Sequence, residues 1–211
     1  MNKLKTLLAA AALSFVGTTA NAAVILTVES AGQMTTTQTG VTTVDFDDNT
    51  IGAYTTVPLK TDYEIYSAAI SGQTAPPAGV TSNYLSVPNP LSSGTAAFGV
   101  GGYANYFGLF WGSIDAYNTL SFWKAGALVK SFTGTQVSPL VGNGNQTSDS
   151  SNRYINFFFD GGGFDQVQLE STQFAFETDN HSFGVVPEPS AIALFGLGIL
   201  GLGFAVRRKR S

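Results

Sequence analysis

Asp45-Phe46-Asp47-Asp48-Asn49 sets side-chain oxygens at i, i+2 and i+4, the spacing with which a calcium loop begins. An EF-hand is excluded farther on: Thr50 stands in place of the Gly of the sharp turn, and Thr56 in place of the closing bidentate Glu. The remaining metal reading is an irregular calcium site built from Asp45, Asp47, Asp48, Asn49 and Asp179, with Glu177 and Asn180 as further donors. It requires first and last strands to pair, and enough hard oxygens to offset the desolvation of clustered carboxylates. The other reading of the same residues is an acidic turn at a strand end. Beyond calcium, no cofactor is expected.

Tyr103, Tyr106, Phe110, Trp111, Tyr117 and Trp123 form the densest aromatic stretch, interleaved with Gly, Asn and Asp. Rings on a sheet face stack on sugars while carboxylates and amides bond hydroxyls, so Tyr106, Trp111, Tyr117 and Trp123 are the carbohydrate candidates. In a strand alternate rings turn inward, and the competing reading makes them core.

Catalysis has little to work with. There is no Cys, and the single His, His181, follows Asp179-Asn180 with no second His and no GxSxG sequence. A thiol nucleophile, a Cys-based zinc site and a Ser-His-Asp triad therefore have no support. Asp160 and Asp165 are a formal carboxylate pair, but nothing in the sequence brings them to the roughly 5–9 Å that glycoside hydrolysis needs. No catalytic residue is assigned, and the expectation is a protein that is not an enzyme.

The elements that must position these groups read as strands. Alternation of apolar and polar residues marks 41–46, 118–124, 164–169 and 174–177, while 154–159 is nearly continuously apolar, as in a strand covered on both faces. Turn signals recur between them: Pro76-Pro77-Ala78-Gly79, Pro88-Asn89-Pro90, Gly101-Gly102 and Asp160-Gly161-Gly162-Gly163. Residues 142–152 read as a long mobile loop. With 44% hydrophobic and 11% charged residues a disordered chain is excluded over most of the 211 residues. The expected fold is all-β: a single jelly-roll-like β-sandwich over 23–184, with ten or so strands.

Both ends have another character. Residues 1–22 combine Lys3 and Lys5, an apolar stretch from Leu7 to Val16 and Ala20-Asn21-Ala22, which is a signal peptide cut by signal peptidase between Ala22 and Ala23. At the other end 185–211 is a tail: Pro187-Glu188-Pro189, an uncharged run over 190–206 read as one transmembrane helix, and a basic end of Arg207, Arg208, Lys209 and Arg210. A run of that length rises about 25 Å, near the lower limit for crossing a bilayer, and the terminal cations place that end in the cytoplasm. Between the ends only Lys60, Lys124, Lys130 and Arg153 stand against thirteen of the 14 acids. That balance excludes nucleic acid and anionic membrane surfaces as partners of the body.

The tail resembles the PEP-CTERM sorting signal of bacterial exosortase systems, through Pro187-Glu188-Pro189, the Gly-rich helix with Gly196, Gly198, Gly201 and Gly203, and the terminal basic cluster. The resemblance covers about the last 25 residues. It implies an inner-membrane-anchored precursor recognised by an exosortase, which removes the helix and delivers the body to the cell surface or outside. A looser similarity to exosortase-dependent surface proteins runs through 106–115, 117–122, 131–134, 154–157 and 175–180, and implies location without catalytic residues. The expected function is a structural or adhesive surface or extracellular-matrix role. The alternative is a calcium-assisted carbohydrate-binding module, with extracellular polysaccharide as partner.

Overall fold

The structure, a computed structural model, describes residues 23–137 and 142–187. The expected signal peptide with Ala22 lies outside the described residues, as do Glu188, Pro189, the apolar run and Arg207, Arg208, Lys209 and Arg210. Among the described residues there is no helix long and apolar enough to cross a membrane.

Two antiparallel sheets make up the fold. The larger, of seven strands, runs β1 (Ala23–Val28), β10 (Arg153–Asp160), β7 (Tyr106–Gly112), β12 (Phe176–Gly184), β5 (Tyr84–Val87), β4 (Glu64–Tyr66), with β2 (Thr42–Val44) also paired to β12. The smaller runs β3 (Thr55–Thr61), β6 (Gly94–Ala104), β11 (Phe164–Ser171), β8 (Asn118–Lys124), β9 (Ala127–Thr133). From β5 onward the chain alternates between the sheets except at the β8–β9 hairpin, giving β5-β12-β7-β10 against β6-β11-β8-β9. That is jelly-roll order: the first strand of the set pairs with the last, and each sheet is knitted from strands distant in sequence.

Alternating side chains of both sheets meet in one core. Phe107, Leu109 and Trp111 of β7 face Leu120 and Phe122 of β8 and Val167 and Leu169 of β11, all fully buried. Phe122 sits at its centre, with ring centroids of Phe107, Phe157, Phe159 and Phe164 between 4.9 and 5.6 Å away. Such edge and tilted contacts add to the burial of the rings themselves. No disulfide contributes, since the chain has no Cys.

The larger sheet is covered on its outer face as well. Every residue of β7 is buried, and Tyr84, Phe110 and Tyr154 pack there with Val80 and Met34, from the segments after β4 and after β1. This accounts for the apolar run at 154–159: β10 is indeed buried on both faces.

Some expected boundaries change. The alternation over 41–46 is strand only through Val44, because Phe46 turns to φ 60° and drops its ring into the core against His181, centroids 5.0 Å apart. The strand expected at 174–177 starts at Phe176 and continues to Gly184. The loop over 142–152 is pinned. Asn152 Nδ2 donates to Asn145 O at 2.7 Å and to Ser148 O at 3.0 Å, and Ser151 and Asn152 are buried.

Candidate functional site

Glu177 sits on β12 opposite Gly112 of β7 and Ser86 of β5, pointing away from the core that its neighbour Phe176 enters. The segment between β4 and β5 crosses this outer face. It approaches closely because Gly112 has no side chain: a Cβ there would lie 2.6 Å from Pro77 Cβ and 2.7 Å from its Cα. Two groups hold the segment. The Ala75 amide donates to Glu177 Oε1 at 3.1 Å, and the Ala78 amide donates to Asn152 Oδ1 at 3.0 Å. The same Asn152 oxygen accepts from the Ser113 amide at 2.9 Å, tying the crossing segment to the end of β7.

Between these walls lies a cleft of about 520 Å³, lined by residues 69–75, Ser113, Asp115, Tyr117, Asn143, Gly144, Gln146, Phe174, Ala175 and Glu177. The fold closes it by pairing Asp115 with Asn143 across the turn after β7 and by the bond from Gly144 N to Ile114 O. Glu177 is 4% exposed. Burial, with the Asp115 charge adding to it, outweighs the hydrogen bonds it accepts and pushes its carboxyl up to about 8. It is therefore a neutral acid at neutral pH, able both to donate and to accept. Burial also raises Asp115, and it raises Tyr117, whose hydroxyl donates to Phe174 O at 2.9 Å. Among the described residues, the Ser113 hydroxyl on the cleft wall is buried without a hydrogen-bond partner.

Asp45, Asp47, Asp48 and Asn49 lie in the acidic turn that follows β2. β2 does pair with β12, Val44 against His181, and this brings Asp179 within electrostatic reach of Asp45 and Asp47. Asp179 is buried and pushed up to about 7, chiefly by that burial and then by the two neighbouring charges. Its two oxygens accept from Asn180, the backbone amide at 2.7 Å and Nδ2 at 3.1 Å. The other carboxylates serve the turn's backbone. Asp45 Oδ1 accepts from Asp47 N, Asp47 Oδ1 from Asn83 N, and Asp48 Oδ1 from Thr50 N and its hydroxyl. Asn49 lies in the same turn at φ 60°. Among the described residues no group of three or more His, Asp or Glu is placed to hold a metal. Glu177, which the calcium reading would have brought here, belongs to the cleft.

The four carbohydrate candidates do not converge. Tyr106 is fully buried, its hydroxyl bonded to Asn156 Oδ1 and Thr36 Oγ1 at 2.6 Å each. Trp111 is fully buried and stacked on Phe176 at 4.3 Å. Neither ring reaches a sugar, because both faces of the larger sheet are covered. Trp123 is half-buried on the smaller sheet beneath Lys60 Nζ, 5.0 Å from its ring. Only Tyr117 lines the cleft. His181 is wholly enclosed, bonded through Nδ1 to the Tyr54 hydroxyl at 3.1 Å and through Nε2 to Thr178 Oγ1 at 2.8 Å. Asp165 caps the β8–β9 turn through the Ala125 amide, and Asp160 stands opposite Ala23 at the end of β10.

Sequence reasoning missed Asp115, Ser113, Asn143 and Gln146 as site residues, and assigned Glu177 to the acidic turn rather than to the cleft. One signal was present: β12 carries two carboxylates, Glu177 and Asp179, in a largely polar strand that the fold buries.

The body ends in a fixed place. Asn105 Nδ2 donates to Val186 O and the Val186 amide donates to Asn105 Oδ1, both at 2.8 Å, while Pro187 next to it is exposed. A family model described as the PEP-CTERM protein-sorting motif matches residues 185–209. No curated protein matches the chain. No solved structure matches it either. The matched motif implies an exported protein sorted to the cell surface in an exosortase-dependent way.

Proposed function

We propose that this chain is a non-catalytic protein of the cell surface or extracellular matrix with a structural or adhesive role. In this reading signal peptidase cuts before Ala23, the 190–206 helix anchors a precursor in the inner membrane, and an exosortase cuts near Pro187-Glu188-Pro189. The match of the sorting motif at 185–209 carries the proposal.

Its position supports the reading. The motif begins where β12 ends at Gly184, so a cut after Pro187 leaves every strand and the Asn105–Val186 clasp in place. The other cut falls where β1 begins, opposite Asp160. The enclosure of the single histidine among Phe46, Tyr54 and Phe107 favours a non-catalytic role, since no substrate reaches it.

Intact mass of the protein recovered from its native cells tests the processing. A species starting at Ala23 and ending near Pro187 is expected, and one still carrying Arg207, Arg208, Lys209 and Arg210 contradicts it. Cells lacking the chain are expected to adhere or assemble matrix less well; unchanged adhesion and matrix would remove the structural and adhesive role.

A further inference from the structure

We propose that the cleft between residues 69–75 and the Ser113 to Tyr117 turn binds a neutral polyhydroxylated ligand, in chemical class a short uncharged saccharide. This goes beyond the surface role above and does not depend on it.

Three observations carry the inference. First, about 520 Å³ lies within the roughly 300–1,000 Å³ of small-molecule sites, and fits one or two sugar rings. Second, the lining is a mixed set of donors and acceptors, with Gln73, Asn143, Gln146, Asp115, Glu177 and Tyr117 on its walls. Ser113 on the cleft wall is 4% exposed, and among the described residues its buried hydroxyl has no hydrogen-bond partner, a state that normally costs stability. Third, among the described residues no Lys, Arg or His lines the cleft. An anionic ligand would lose its hydration there with no counter-charge and with the Asp115 carboxyl facing it.

Rival occupants fit less well. A divalent cation needs more hard ligands than Asp115 and Glu177 supply, and no trio of acids or histidine is placed to hold a metal among the described residues. A lipid or other apolar molecule would leave the amides and carboxyls without partners. Glu177 as a neutral acid suits hydroxyl ligands, which both donate and accept.

The test titrates the full chain, in a zwitterionic detergent free of sugar, with cellobiose, chitobiose, maltose and the anionic digalacturonate. Calorimetry and amide chemical shifts are the readouts. At least one neutral disaccharide is expected to bind and to shift the Asp115, Asn143 and Glu177 amides, with digalacturonate at least tenfold weaker. Gln146→Ala, at an exposed position, is expected to weaken binding about fivefold with unchanged unfolding. The proposal is overturned if no neutral disaccharide binds, if digalacturonate binds as tightly, or if the shifts gather around Trp123. Retention of the basic tail in native cells would overturn the sorting reading and leave this one standing.

Discussion

Asn105 grips Val186 by both polar atoms of its backbone, at 2.8 Å each, one residue before the exposed Pro187. Asn105 lies between β6 and β7, and its own backbone bonds Gly184 O and the Phe159 amide. One residue thus ties the end of the last strand to β10 through its backbone and, through its side chain, fixes where the sorting tail departs.

Replacing Asn105 by Ala removes both bonds and leaves buried polar groups of Val186 unpaired. Asn105→Ala is expected to lose about 2–4 kcal/mol in urea unfolding. Hydrogen exchange at the Val186 amide should rise more than exchange at the centre of β7. Equal protection of Val186 in variant and parent would contradict the clasp.

Glu177 makes stability depend on pH. Its carboxyl is raised from 4.5 to about 8, so the unfolded chain gives up this proton at lower pH than the folded one. The contribution is complete below about 4.5 and is lost as pH rises through 8. Asp179, raised from 3.8 to about 7, acts with the same sign over its own window. Glu177→Gln keeps the oxygen that accepts from Ala75 and is expected to match the parent at pH 4, then to exceed it by about 4 kcal/mol at pH 9. Parallel stability curves for the two proteins would refute this.

His181 has the opposite sign. Burial lowers it from 6.5 to about 3, so its contribution is complete above 6.5 and is lost as pH falls through 3. The imidazole proton resonances of the folded protein are expected to stay unshifted from pH 8 to pH 4.5. A titration midpoint near 6 would show that the ring reaches water.

Gly112 is the position that lets the crossing segment lie down on the larger sheet. Gly112→Ala puts a methyl group against Pro77 and should cost about 1–3 kcal/mol. The Ala75 and Ala78 amides, which meet Glu177 and Asn152, should exchange faster. Unchanged stability and exchange would mean that the segment is not held by this contact.

Some of this architecture was legible because it depends on short-range order. The alternation at 118–124 returned β8 to the residue, and the apolar run at 154–159 announced a strand covered on both faces. The expected pairing of first and last strands is not made by β1, which pairs with β10; the 41–46 segment meets the last strand as β2, the second strand of the chain. The 41–46 alternation failed at Phe46, where a left-handed residue buys a core contact that no local pattern encodes. Tyr106 and Trp111 failed as sugar platforms for a similar reason. A period of two says that successive rings face opposite ways, and it does not say that a distant segment covers the outer face too.

The sequence by itself determined the all-β character, the spacing of strands and turns, the acidic body and the sorting tail, because each is carried by neighbouring residues. Tertiary structure alone decided that Asp115 and Glu177 share a cleft, that Asp179 is buried, and that His181 is sealed in the core. The physical reason is the jelly-roll order. Its sheets join strands distant in the chain, so which polar groups meet, and how far burial shifts them, is settled only when the sheets close.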